Sequence, residues 1–139
     1  MKARAKKVIA IIEASSTGYG VYAEDDQLPL TGYGKTIEEA KADMKTQLDE
    51  MIEYFKEKGE KTPAIYNKGN LEFVFKYDIA SIFNHFGMLD ATGLAKKIGM
   101  NPSLLRQYKS GITLASDKQK QKIEHGLHEL GRELLRVRL

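Results

Sequence analysis

The spacing of apolar and polar positions changes character several times along the chain. Lys7–Ala14 (KVIAIIEA) is short and dense in β-branched residues, which predicts a strand. Ser15–Gly18 (SSTG) is turn chemistry, and Tyr19–Ala23 resumes as a second strand, completing a hairpin. After a charged corner at Glu24–Asp26, Leu28–Tyr33 (LPLTGY) is expected as a third strand or extended segment. Pro29 puts it at an edge or an end, because proline lacks the N–H a central strand needs. From Thr36 the period lengthens: Ile37, Ala40, Met44, Leu48, Met51 and Phe55 recur at steps of three and four, one face of a helix. Thr36 and Glu39 form a capping box at its start, and Gly59 is the expected C-cap. Asp43, Lys45, Glu50, Glu53 and Glu57 fall mostly off the apolar face. Lys58–Gly69, with Pro63, Asn67 and Gly69, reads as a loop, and Leu71–Lys76 (LEFVFK) alternates as a fourth strand. The unit is β-β-β-α-β, expected as a small antiparallel sheet with one helix packed on it.

The remaining pattern is helical throughout. Asp78 caps Ile79–Phe86, whose Ile79, Ile82, Phe83 and Phe86 share a face, and Gly87 ends it. Asp90 or Thr92 starts the next helix, with Leu94, Ala95 and Ile98 inward and Lys96 and Lys97 outward. Gly99 supplies the positive φ that a sharp helix–helix turn requires. Asn101 caps a third helix, Pro102 occupies its first turn, and Gly111 ends it. Leu104, Leu105 and Tyr108 are expected to face the core, wholly or partly, which leaves Pro102, Ser103, Arg106 and Gln107 on the exposed face. A fourth helix begins near Ser116 or Asp117 and runs toward Leu134. The tail Leu134–Leu139 (LLRVRL) alternates, as a short strand, a subunit contact or a frayed helix end would. Leu94–Ile112 as a whole has the layout of a helix-turn-helix DNA reader.

Charge sharpens this division. The 139 residues carry a net charge of +3. Residues 1–89 hold 12 Lys and Arg against 14 Asp and Glu, a balance of −2, while residues 90–139 hold 10 against 5, a balance of +5. Basic charge therefore lies where phosphates would be met. Hydrophobic residues make up 42% and charged residues 29%, which fits a globular chain. There is no cysteine, which excludes disulfides, thiolate metal sites and thiol nucleophiles and suits a reducing cytoplasm. MKARAKKVIAII has the basic-then-apolar order of a signal peptide, but Glu13 interrupts the short apolar run, so a strand is the better reading. No segment is long and apolar enough to span a bilayer, and no membrane partner is expected.

The order strand, Gly-Tyr, strand, then LPLTGYGKTIEEAK over Leu28–Lys41 resembles the HicB antitoxins of toxin–antitoxin modules. Pro29, Gly32, Gly34, Thr36, Glu38, Glu39 and Ala40 carry the match, which covers about residues 7–77. Leu30 replaces the family's acidic residue after the proline, and Lys35 replaces the Asp of Gly-Asp-Thr; neither breaks the turn or the helix cap. The resemblance implies a partial RNase H-like fold that has lost nuclease activity. It also implies a partner, a small HicA-type mRNA-cleaving toxin that the front domain covers. Residues 78–134 resemble the lambda-repressor-like (Xre/Cro) helix-turn-helix domains. Carried over position by position, that resemblance implies Pro102, Ser103, Arg106 and Gln107 at base edges and Asn101, Lys109 and Ser110 at phosphates. Arg to guanine and Gln to adenine are sound bidentate pairings. Lys96 and Lys97 are candidate phosphate contacts or plain surface.

Other chemistry is thinly represented. Glu13 and the corner cluster Glu24, Asp25 and Asp26 are candidate metal-binding acids, but solvated surface is the ordinary role of hairpin-corner acids; two-metal cleavage would need them to converge on shared Mg²⁺ ions. His125 and His128 are three apart on a helix but have no third ligand in the pattern, and His85 reads as a partly packed surface residue. Ser15, Ser16 and Ser81 have no base placed beside them by the sequence, and Gly18-Tyr19-Gly20 precedes no helix and so cradles no phosphate. The sequence therefore predicts an α+β protein. A β-β-β-α-β front domain spans residues 1–77, and a four-helix DNA-binding domain spans residues 78–139. No enzymatic activity and no cofactor or metal is expected. The expected function is an antitoxin that neutralises its toxin and represses its own operon, as a homodimer or higher homo-oligomer. The alternatives are a stand-alone regulator whose front domain senses a ligand or dimerises, and a residual RNase H-like nuclease.

Overall fold

The computed structural model describes residues 6–66 and 71–139. Asn67 and Gly69, assigned above to a loop, lie outside the described residues. The protein is α+β and divides into two compact units, residues 1–81 and 82–139.

In unit 1, strands β1 (Lys6–Ser15), β2 (Gly18–Ala23), β3 (Thr31–Gly34) and β4 (Leu71–Tyr77) form one sheet in the order β3-β2-β1-β4. β1 and β2 are antiparallel, with Ile12 opposite Val21, and β2 and β3 are antiparallel, with Val21 opposite Gly32. β4 runs parallel to β1, with Val8 beside Phe73 and Ala10 beside Phe75. The sheet is therefore mixed, not antiparallel as expected. The reason is the helix between the last two strands. α1 (Ile37–Glu57) carries the chain back along the sheet, so β4 must run in the direction of β3, which is also that of β1.

One sheet face and α1 enclose the core. Val8, Ala10, Ile12, Tyr19 and Val21 alternate inward and are buried, as are Ile37, Ala40 and Met44 on α1. Leu48, Met51 and Phe55 continue the same helical face, half-buried. Each fully buried aliphatic side chain stabilises by about 1.5–3 kcal/mol. Close approach of α1 to β3 explains two glycines of the resemblance: a Cβ on Gly32 would lie 2.2 Å from the Ala40 carbonyl oxygen, and one on Gly34 would lie 2.4 Å from Glu39 Cβ.

The ends of these elements follow local chemistry. Thr36 Oγ1 accepts from the Glu39 N–H at 3.1 Å, but the Glu39 carboxylate accepts from the Lys35 N–H at 2.8 Å. The box thus closes one residue earlier than the expected return to Thr36. At the other end Gly59, at φ +66°, and Glu60 donate to the carbonyls of Lys56 and Phe55 in a Schellman motif, with Lys58 as C-cap. The third strand starts later than expected because Leu30 N–H donates to the Leu28 carbonyl at 2.7 Å, a three-residue turn centred on Pro29. That turn lets both Leu28 and Leu30 point into the core, at 0% and 2% exposure.

α2 (Ile79–His85) follows β4 and carries the boundary between the units. Asp78 caps it through the Ser81 N–H at 2.7 Å, and the Ser81 hydroxyl donates to the Asp78 carbonyl. The helix stops at His85, so Phe86 lies beyond it, exposed, with its ring edge-on to His85.

Unit 2 contains α3 (Ala91–Ile98), α4 (Pro102–Ser110) and α5 (Asp117–Leu135). Its buried residues include Phe83, Ala91, Leu94, Ala95, Met100, Leu105, Tyr108 and Ile123. α5 crosses α3 at Gly126, where a Cβ would lie 2.1 Å from Ile98 Cγ2. α5 extends to Leu135 with Arg136 as C-cap, so the tail begins as helix rather than strand. No helix among the described residues is long and apolar enough to cross a membrane.

Candidate nucleic-acid interface

The turn between α3 and α4 is built from short-range chemistry. Asp90 accepts from the Gly93 N–H at 3.0 Å and starts α3; Gly99, at φ +75°, ends it. Lys122 on α5 donates to the Gly99 carbonyl at 3.0 Å, a cation on the negative end of α3. Met100 folds inward, Asn101 accepts from the Ser103 N–H at 2.9 Å, and α4 begins at Pro102. Leu105 is fully buried and Tyr108 nearly so, which fixes how α4 is rotated about its axis. Ser103, Arg106, Gln107 and Ser110, at i, i+3, i+4 and i+7, then share the opposite face.

The sequence-predicted residues divide by what they already hold. Ser103 and Arg106 are exposed, and Pro102 and Gln107 are half-buried. Arg106 Nη1 donates to Thr92 Oγ1 on α3 at 2.8 Å. Gln107 Oε1 accepts from the Thr113 hydroxyl at 3.3 Å. Asn101 uses its side-chain oxygen as the cap, so its amide N–H groups remain as donors. The Ser110 hydroxyl donates to the Gln107 carbonyl at 3.1 Å, and the Lys109 ammonium lies 5.6 Å from the Phe83 ring centroid, in cation–π range. Lys96 is exposed, whereas Lys97 forms an ion pair of 2.5 Å with Glu133 of α5. The structure thus gathers Ser103, Arg106, Gln107 and Ser110 on one face and ties Lys97 and Lys109 to other partners. Sequence reasoning missed the contacts made by Thr92, Thr113, Lys122 and Glu133. No local pattern signals them, because each acts on a residue 6 to 36 positions away.

The acids of unit 1 are occupied differently. Asp25 pairs with Lys6 at 2.9 Å and accepts from the Gln27 N–H, and these bonds hold its carboxyl below the usual range. The Tyr22 phenol is raised above its ordinary range by burial and then by the negative charges of Glu13, Glu24 and Asp78. Among the described residues no three His, Asp or Glu side chains converge to hold a metal ion. His125 lies 3.9 Å from Glu129, whose carboxyl is lowered chiefly by its hydrogen bond with Arg132. Comparison with known proteins gives no match to a family, to a curated protein or to a solved structure.

Proposed function

We propose that this chain is a HicB-type antitoxin and autorepressor, not an enzyme, acting in the cytoplasm. Under this reading unit 1 is a partial RNase H-like domain that covers a HicA-type mRNA-cleaving toxin. Unit 2 is a lambda-repressor-like helix-turn-helix domain that binds operator DNA. The observation that carries the reading is the face of α4 bearing Ser103, Arg106, Gln107 and Ser110, raised on buried Leu105 and Tyr108 behind the Gly99 turn. An α-helix is about 10–12 Å across with its side chains, which suits a major groove about 12 Å wide. Arg106 would read guanine and Gln107 adenine, while Asn101 and Lys96 meet phosphates.

Two half-sites one helical turn apart require two copies of α4, so the active form is a homodimer or higher homo-oligomer. The far end of α5 supports this: Leu134, Leu135, Val137 and Leu139 are all exposed, an apolar surface that a second copy would cover. For the toxin half, the support is the acidic balance of residues 1–89 and the grouping of Glu13, Glu24 and Asp78 around Tyr22, which would complement a basic RNA-cleaving partner.

Selection of duplexes from a randomised pool on the intact chain tests the DNA half. A palindromic winner is expected, and R106A and Q107A should each weaken its binding by about 1–3 kcal/mol. Unchanged affinity would refute those roles. Co-expression with the neighbouring reading frame tests the toxin half: a small basic protein should co-elute, and separate elution would remove that partner.

A further inference from the structure

We propose, on the footing of the DNA-binding reading above, that Thr92 is a positioning residue which sets the specificity of Arg106. An exposed arginine is ordinarily free to sample many rotamers, and ordering it at an interface opposes binding. Here the guanidinium is already held before any DNA arrives, by the 2.8 Å bond from Nη1 to Thr92 Oγ1. Both ends of this contact are anchored. Thr92 lies in the first turn of α3, beside buried Ala91 and within the turn that Asp90 caps. Arg106 directly follows Leu105, which is 0% exposed. The distance between them is therefore set by the packing of α3 against α4, not by a loop.

The choice of nitrogen matters. With Nη1 engaged, the edge formed by Nε and Nη2 stays available, and that edge presents two parallel donors, the fork that matches guanine O6 and N7. Thr92 thus removes rotational freedom while leaving the reading edge intact. A hydroxyl is well suited to this role, since it adds no charge of its own and accepts from the arginine through a lone pair. The same residue makes no direct claim on a base, so its effect must pass through Arg106.

The test uses the intact chain and the duplex it enriches from a randomised pool. T92V, nearly the same shape without the acceptor, should weaken binding to that duplex about two- to tenfold. Binding to unselected duplex, the salt dependence and the thermal midpoint should not change. T92S keeps the hydroxyl and should bind as the unsubstituted chain does. In an R106A background T92V should have no further effect, since the group it positions is gone. Silence of T92V on the enriched duplex overturns the proposal, as does an equal loss with and without Arg106. A parallel loss on unselected duplex, with the salt slope smaller by about 1, also overturns it, because Arg106 would then hold a phosphate. If the unsubstituted chain enriches no duplex, the DNA reading itself fails and takes this proposal with it, an outcome distinct from a silent T92V.

Discussion

Replacing Gly126 with alanine probes the crossing of α5 on α3. Alanine in a helix interior is ordinarily favoured over glycine by about 1 kcal/mol, so without tertiary contact G126A should stabilise. At this position the added Cβ would lie 2.1 Å from Ile98 Cγ2 and 3.0 Å from Ile98 Cβ, well inside contact distance. Overpacking of this kind costs about 1–3 kcal/mol, so the net effect is a destabilisation of up to about 2 kcal/mol. The partner change decides the cause. I98A alone should destabilise by about 2 kcal/mol, the low end for a large-to-small change because Ile98 is only half-buried. It also deletes Cγ2, the atom that the new Cβ meets. The double variant G126A/I98A should therefore be more stable than the sum of the two single changes, by about 1–3 kcal/mol. Native-state hydrogen exchange of the α3 and α5 amides reads unit 2 by itself. Simple additivity within about 0.5 kcal/mol, or a stabilising G126A, would refute the close crossing of α5 on α3.

Two further outcomes follow from the electrostatics and the surface. Asp25 has its folded pKa depressed by Lys6 and by the Gln27 N–H, so the stability it contributes is present above its unfolded value and is lost as pH falls through the folded one. Acid melts of D25N should lack that part of the decline, and identical acid limbs for D25N and the parent would contradict the pairing. L134S/L135S should shift the chain toward monomer in analytical ultracentrifugation and weaken operator binding; an unchanged oligomer would place the subunit contact elsewhere.

The parts of this architecture that were legible in the sequence are those decided within a turn or two. Thr36, Asp78, Asp90, Asn101 and Ser116 cap the helices they precede, because a short polar side chain bonding a nearby N–H is a local event. Gly99 and Gly111 take positive φ for the same reason. The rotation of α4 was legible as well: Leu105 and Tyr108 are spaced to bury together, and Ser103 and Arg106 are then left outside. What sequence could not supply is pairing across distance. β4 has the same alternation whether its neighbour runs parallel or antiparallel, and only the crossover through α1 decides it. Gly32 and Gly34 stand out in the sequence only through the HicB resemblance, yet their role is to admit the α1 backbone. At the interface, Lys96 and Lys97 look equivalent in sequence, but Glu133, far along the chain, engages only the second. Thr92 was visible merely as a possible cap, and its bond to Arg106 depends on how two helices pack.

Whether the outward face of α4 meets DNA is decided by amide and arginine side-chain NMR of the isotopically labelled intact chain, titrated with the duplex it enriches. The largest shifts are expected at Ser103, Arg106, Gln107 and the first turn of α3, with Leu105 and Tyr108 still protected from solvent exchange. Shifts confined to other surfaces, with the Arg106 side-chain resonance unmoved at saturation, would rule that face out as the reader.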